Sequence, residues 1–174
     1  MRWAKLCGWI WCEILITSYL KNDSTYAINF FVIVVVDTNV FVSTIMGADG
    51  ATRQNVRLCL QGRLRPLMGN ALYTEYEDVC SRESLFSTKL ISASERRELL
   101  DAFLASCAWI PIYYLWRPNL PDEADNHVLE LAVAGGAEFI ITSNKKDFLR
   151  AELNFPEITI LNPAEFLSIR KEAR

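Results

Sequence analysis

The sequence predicts an α/β fold, a three-layer α/β/α sandwich around a central, mostly parallel five-stranded sheet. Three observations predict it. Strand-like and helix-like stretches alternate along the chain. The strand-like stretches are short, apolar and rich in β-branched residues, as suits strands buried on both faces of a parallel sheet. Gly62, Gly69, Gly135 and Gly136 fall at the junctions, as helix ends and strand entries require.

The elements are justified in order. The run Phe30-Phe31-Val32-Ile33-Val34-Val35-Val36 is apolar and free of Gly and Pro, which predicts a strand over Val32–Val36. A helix over Ala51–Gln61 leads to a strand at Arg65–Met68, and helices over Ala71–Ser81 and Ser94–Cys107 lead to a strand at Trp109–Tyr113. A helix over Ala124–Ala134, strands at Phe139–Thr142 and Ile158–Leu161, and a helix over Pro163–Arg170 complete the set. Right-handed crossovers join such parallel strands. No repeat or low-complexity stretch interrupts the pattern, and 174 residues suffice for one domain with a real core.

Residues 1–30 do not share this pattern. Arg2 and Lys5 precede Leu6-Cys7-Gly8-Trp9-Ile10-Trp11-Cys12, the outline of a short signal peptide. Glu13 interrupts it, no small-residue cleavage site follows, and the stretch is too short to span a bilayer. It reads as a peripheral appendage, or as translated sequence upstream of the real start, with the domain proper at 31–174.

Composition narrows the function classes. The net charge of −3 argues against a broad basic surface that binds nucleic acid by counterion release. It leaves room for a nucleic-acid enzyme whose bound divalent cations offset clustered acids. The basic groups Arg53/Arg57/Arg63/Arg65, Arg96/Arg97 and Lys145/Lys146 read as solvated faces. Five cysteines without a C-x-x-C pair speak against a disulfide scaffold or zinc finger and suit a reducing cytoplasm. The lone histidine, His127, excludes poly-histidine metal sites.

The acids carry the chemical signal. Asp37, directly after the first strand, stands where open α/β sheets form ligand crevices, although it also suits a turn or helix cap. Asn39 reads as a residue that holds this loop by side-chain hydrogen bonds. On the helix of Leu72, Tyr76, Val79 and Cys80, Glu75 lies about 80° from the centre of the apolar face, against about 120° for Glu77 and about 140° for Asp78. Only Glu75 is placed to reach a crevice. Asp122 suits a helix cap as well as a site. Asp125 falls within the stripe of Val128, Leu129, Ala132 and Val133, where a carboxylate is costly unless paired or metal-bound. His127 and Glu130 point the other way and read as solvated. Asn144 follows the strand ending at Thr142, with Asp147 three residues on.

The ordered set Asp37-Thr38-Asn39-Val40, helical Glu75, Asp122-x-x-Asp125-Asn126 and Ile140-Ile141-Thr142-x-Asn144-x-x-Asp147-Phe148 resembles the PIN-domain ribonucleases, most closely VapC-like toxins of toxin–antitoxin pairs. The resemblance covers roughly Val32 to Leu167. It implies a PIN-like, Rossmann-like fold, catalytic Asp37, Glu75 and Asp125, and metal ligation by these with Asp122 and Asn144. Asn39, Thr142 and Asp147 are supporting positions. Many PIN proteins carry aspartate where this chain has Asn144; the change removes one negative charge and weakens the case for a second metal. Oxygen-only ligands suit Mg²⁺ or Mn²⁺, not zinc. The expected activity is hydrolysis of RNA phosphodiesters by metal-activated water. A small antitoxin, a homodimer and a cytoplasmic setting without membrane attachment are implied alongside it. The alternative is an inactive PIN-like module that binds RNA or protein. A haloacid-dehalogenase-type phosphatase would need a second aspartate at position 39, where Asn39 stands.

A chain beginning at Phe31 is expected to fold and to cleave RNA as the full chain does, because the α/β alternation closes without residues 1–30. Melting curves of the two chains check this, and a drop of several degrees on truncation would show that Trp3, Trp9 and Trp11 pack on the domain.

Overall fold

The computed structural model describes residues 32–47, 50–87, 91–117, 119–148, 151–153 and 155–172. The N-terminal segment singled out above lies outside the described residues. Five strands form one sheet in the order β3-β2-β1-β4-β5, every pairing parallel. The strands are β1 (Val32–Val36), β2 (Leu64–Met68), β3 (Ala108–Trp109), β4 (Phe139–Ile141) and β5 (Thr159–Leu161). The α/β fold with a parallel central sheet is as expected, and parallel without exception.

β1 is central because both its faces can be buried: Val34, Val35 and Val36 are sealed from solvent. It pairs with β2 on one side, Val34 opposite Pro66, and with β4 on the other, Val36 opposite Ile141. Between β1 and β2 run α1 (Thr38–Met46) and α2 (Gly50–Leu60). Between β2 and β3 run α3 (Asn70–Ser81), α4 (Glu83–Phe86) and α5 (Ala93–Ser106). The strand order moves outward from β1 to β3 and then returns across β1 to β4. Right-handed crossovers therefore put the first helices on one face and α6 (Asn126–Gly135) on the other. α6 touches β1, β2 and β4. α7 (Lys145–Phe148) and α8 (Pro163–Glu172) flank β5.

Three elements escaped the sequence reading. α1 begins at Thr38, immediately after β1, so that the residues read as a loop are the first turn of a helix. Its sequence mixes β-branched Val40, Val42, Thr44 and Ile45 with short polar Asn39 and Ser43, residues of weak helix propensity, and it follows the apolar run of β1 without a break. α4 and α7 are single turns, too short to show any period. The third strand is shorter than expected. Only Ala108–Trp109 pair with β2, and Tyr113 and Tyr114 are exposed. The Ile110 N–H still donates to the Met68 carbonyl at 2.9 Å, and the pairing ends there, at the residue before Pro111. The chain beyond is held by Glu130, which accepts from the Trp116 N–H at 2.9 Å and from the Arg117 guanidinium at 3.1 and 3.2 Å.

Glu130 is thus buried, 1 % exposed, and not the solvated residue its position on the helix suggested. Arg96 corrects its reading in the same way. It is sealed beneath the Phe86 ring and bonds the Cys80 carbonyl, so α4 turns a nominal surface cation into a core strut. Arg97 remains exposed and pairs with Asp101 and Glu77. The junction glycines also divide. Gly62 and Gly136 are in the left-handed region, whereas Gly135 is small for packing: a Cβ there would stand 2.3 Å from Leu67 Cδ1.

Phe41 of α1, Tyr76 of α3 and Phe103 of α5 pack ring on ring, with centroids 5.0 to 5.7 Å apart, over the end of β1. The Tyr76 hydroxyl donates to the Val36 carbonyl at 2.8 Å in a fully buried setting. This bond pins α3, one residue from Glu75, to the strand end that precedes Asp37. Tyr76→Phe should destabilise the protein by about 1–3 kcal/mol, because the Val36 carbonyl stays buried without its donor. Urea unfolding of the two proteins measures it.

Candidate functional site

Parallel pairing of β1 with β4 sets two strand ends side by side. The ladder continues one residue past each strand, the Asp37 N–H to the Ile141 carbonyl and the Thr142 N–H to the Leu161 carbonyl, both 3.0 Å. Asp37 and Thr142 are therefore neighbours by construction. The Thr142 hydroxyl donates to Asp37 Oδ2 at 2.6 Å, and the same oxygen accepts from Asn39 Nδ2 at 2.7 Å. Asp37 Oδ1 accepts from the Asn39 N–H at 3.2 Å, which caps α1. Asn39 also accepts from the Ser143 N–H at 3.0 Å. It ties the start of α1 to the loop after β4, the structural part expected of it.

Asp37 is thus at once a helix cap and a buried crevice carboxylate, 4 % exposed. Burial raises its pKa, partly offset by the hydrogen bonds from Thr142 and Asn39; Glu75 pushes it up further and His127 pulls it down.

Asp125 arrives from the other side of the sheet. A 3₁₀ turn over Glu123–Asp125 enters α6, and Asp122 caps it by accepting from the Ala124 N–H at 2.9 Å. Asp122 is exposed and its local role is this cap. The buried Asn126 fixes the turn, accepting from the Leu120 N–H and donating to the Glu123 carbonyl. Asp125 is half-buried at the head of the helix, without a capping bond of its own. Its pKa is raised to about 6, first by burial and then by Asp37, Asp122, Glu75 and Asp147. Asp125 senses four other carboxylates even where it does not touch them.

Asn144 turns its amide nitrogen to Asp147 at 2.5 Å and to Asp125 at 3.5 Å, so it bridges two acids as a donor. Asp147 therefore pairs with Asn144 and not with a lysine; Lys145 reaches Glu165 instead.

His127 is the residue the sequence reading placed wrongly. Its Nε2 lies 3.0 Å from Glu75 Oε2, an ion pair and not an aligned hydrogen bond, and its side chain is only 12 % exposed. Nδ1 lies 2.6 Å from the Ala124 carbonyl. Burial disfavours the imidazolium, yet the contact and charge of Glu75, with the Ala124 carbonyl, outweigh it and raise the ring's pKa. The helical count failed because Asp125 belongs to the 3₁₀ turn, so its angular position does not carry into α6. Away from Asp125 does not mean solvent here: α6 also packs against α3. The signal that could have found it was the presence of a single histidine two residues from the acid most costly to bury.

Glu75 is thus engaged by His127, and the expected cage of four carboxylates is not assembled. Among the described residues, no three His, Cys, Asp or Glu side chains come together closely enough to hold one metal ion. What the fold supplies is buried Asp37 and half-buried Asp125, whose pKa the charge of Asp37 helps to raise, with the Asn144 amide and the His127–Glu75 contact beside them. Also among the described residues, no helix is long and apolar enough to cross a membrane.

Two substitutions should separate the acids in metal-free protein. Asp37→Asn should cost about 1–3 kcal/mol, since both carboxylate oxygens accept from buried donors and an amide offers only one acceptor, its nitrogen opposing the donors on the other side. Asp125→Asn should not destabilise. The folded chain holds the Asp125 proton up to about 6, whereas the unfolded chain releases it near the ordinary 3.8. Native protein then binds more protons between those values, so stability falls as pH rises through the window. The variant should lose less over that interval, as denaturant midpoints taken across it will show.

The comparisons with known proteins agree with this fold. Residues 33–146 match the model of the PIN domain. The crystal structure of VapBC2 from Rickettsia felis bound to a promoter DNA fragment contains a chain similar in fold, with a TM-score of 0.51 and 19 % identity. The alignment covers 75 % of this chain and 98 % of that one. No curated protein matches the sequence. The match to the domain model spans most of the chain, from the first strand to beyond the fourth, and the protein belongs to the PIN domain family.

Proposed function

We propose that the protein is a Mg²⁺- or Mn²⁺-dependent endoribonuclease, the toxin of a toxin–antitoxin pair. The observation that supports the reading is the placement of Asp37 at the end of β1 and of half-buried, uncapped Asp125 at the head of α6, where burial and four surrounding acids push the Asp125 pKa up. A cation would relieve that repulsion. Two carboxylates with oxygen atoms fit Mg²⁺, which is commonly held through one or two carboxylates and keeps several waters. They do not fit zinc, which takes three or four protein ligands, His and Cys prominent among them.

Asp37 and Asp125 would hold the ion, with Glu75, Asp122 and Asn144 as further oxygen donors. When bound, such an ion acidifies water and offsets the charge that develops in phosphodiester displacement. The chain's own residues do the rest. Thr142 and Asn39 hold Asp37 in one rotamer, so the ligand is fixed before substrate arrives. Asn144 keeps Asp147 and Asp125 from repelling each other apart. With asparagine at position 144 the site has one charge fewer for a second cation. The toxin reading draws support from the fold shared with a VapBC assembly; a small cognate antitoxin would cover the site, and the chain would pair with itself.

RNA cleavage should require Mg²⁺ or Mn²⁺, stop with EDTA, and recover poorly with Zn²⁺. Asp125→Asn should lower cleavage by two orders of magnitude or more, whereas Asp78→Asn, paired with Arg82 on the surface, should leave it unchanged. Full activity in EDTA overturns the metal mechanism; RNA binding without cleavage under every metal favours an inactive module.

A further inference from the structure

We propose that His127 is a positioning residue that holds Glu75 back from the acidic centre, so that a cation must win its third carboxylate from the imidazole. This rests on the metal-dependent reading above. The geometry behind it is local and complete. The Nδ1 of His127 is anchored 2.6 Å from the Ala124 carbonyl, which fixes the ring's orientation. Its other nitrogen faces Glu75 Oε2 at 3.0 Å. The anchor and the acid are linked: Ala124 lies in the same 3₁₀ turn that presents Asp125.

The ring is the more buried partner, 12 % exposed against 40 % for Glu75. The imidazole is therefore the fixed member and the carboxylate the one free to leave. The approach of Nε2 to Glu75 lies at donor–acceptor distance but falls short of hydrogen-bond alignment, a contact that a divalent cation can outbid. Glu75 remains close enough to Asp37 and Asp125 to perturb both electrostatically, yet no three-ligand group forms. A carboxylate near the centre but committed elsewhere is a ligand in reserve. Held so, it spares the metal-free protein a third unbalanced charge beside Asp37 and Asp125.

Binding of Mn²⁺ to metal-free protein, measured by calorimetry, tests this without reference to cleavage. His127→Asn keeps a donor for the Ala124 carbonyl and removes the partner of Glu75; it should bind Mn²⁺ roughly five- to tenfold more tightly than wild type. His127→Gln, which restores a donor toward Glu75, should fall back to the wild-type value. In a Glu75→Gln background, His127→Asn should bring no gain. The chain has one histidine, so its ring signals in nuclear magnetic resonance give a second reading on unaltered protein. Mg²⁺ should shift them in wild type and leave them in place in Glu75→Gln. Unchanged or weakened Mn²⁺ binding in His127→Asn overturns the proposal, and so does a gain that survives Glu75→Gln, since the ring would then act through its charge alone. Mn²⁺ binding to wild type with no such gain sinks this inference only; no binding to wild type or to His127→Asn sinks the metal reading with it.

Discussion

The Asp37 carboxylate, buried at the end of β1 and bonded to Thr142 at the end of β4, is the constraint on which the rest of the site depends. A carboxylate that is 4 % exposed cannot be tolerated without donors, and three converge on it. Those donors come from two elements far apart in sequence. The same bonds therefore satisfy the charge, start α1 and clamp the loop after β4. Satisfying Asp37 fixes the register of everything beside it, because Asn39 and Thr142 each have a second partner in that loop.

Around this fixed point the acids are arranged unequally. Asp37 is rigid and buried, Asp125 sits at a helix head with its charge uncompensated, and Glu75 is half-exposed and drawn to His127. Repulsion in the metal-free state is spread by neutral and cationic neighbours and not by distance alone. Asn144 places an N–H between Asp125 and Asp147, and His127 takes up Glu75. Asparagine at position 144 thus has a structural consequence: a bridge in place of a further repulsion.

The scaffold supports this with packing on both faces of β1. On one side the rings of Phe41, Tyr76 and Phe103 and the Tyr76 hydroxyl lock α1, α3 and α5 to the strand end. On the other, α6 lies across β1, β2 and β4 and carries Asp125 at its head. Buried Glu130 of the same helix holds the chain after β3 through Trp116 and Arg117. One helix therefore sets both the acid and the segment that closes over its flank.

The sequence by itself determined the alternation of strands and helices, the parallel sheet and the candidate acids, because each depends on local pattern: burial on two faces, helical period, a carboxylate at a strand end. Asp37, Glu75 and Asp125 were legible since a charge in an apolar stripe or at a crevice is costly and so conspicuous. What only the tertiary structure decided was partnership. That His127 faces Glu75, that Glu130 is buried and that Arg96 is a core strut all follow from helices meeting across the fold, which no count along one helix contains. α1 was hidden because it follows β1 without a break and is built largely from β-branched and short polar residues of weak helix propensity, and the third strand leaves β2 after Ile110, just before Pro111. Pattern along the chain says which side chains are expensive to bury; only the packed chain supplies the groups that make burial tolerable.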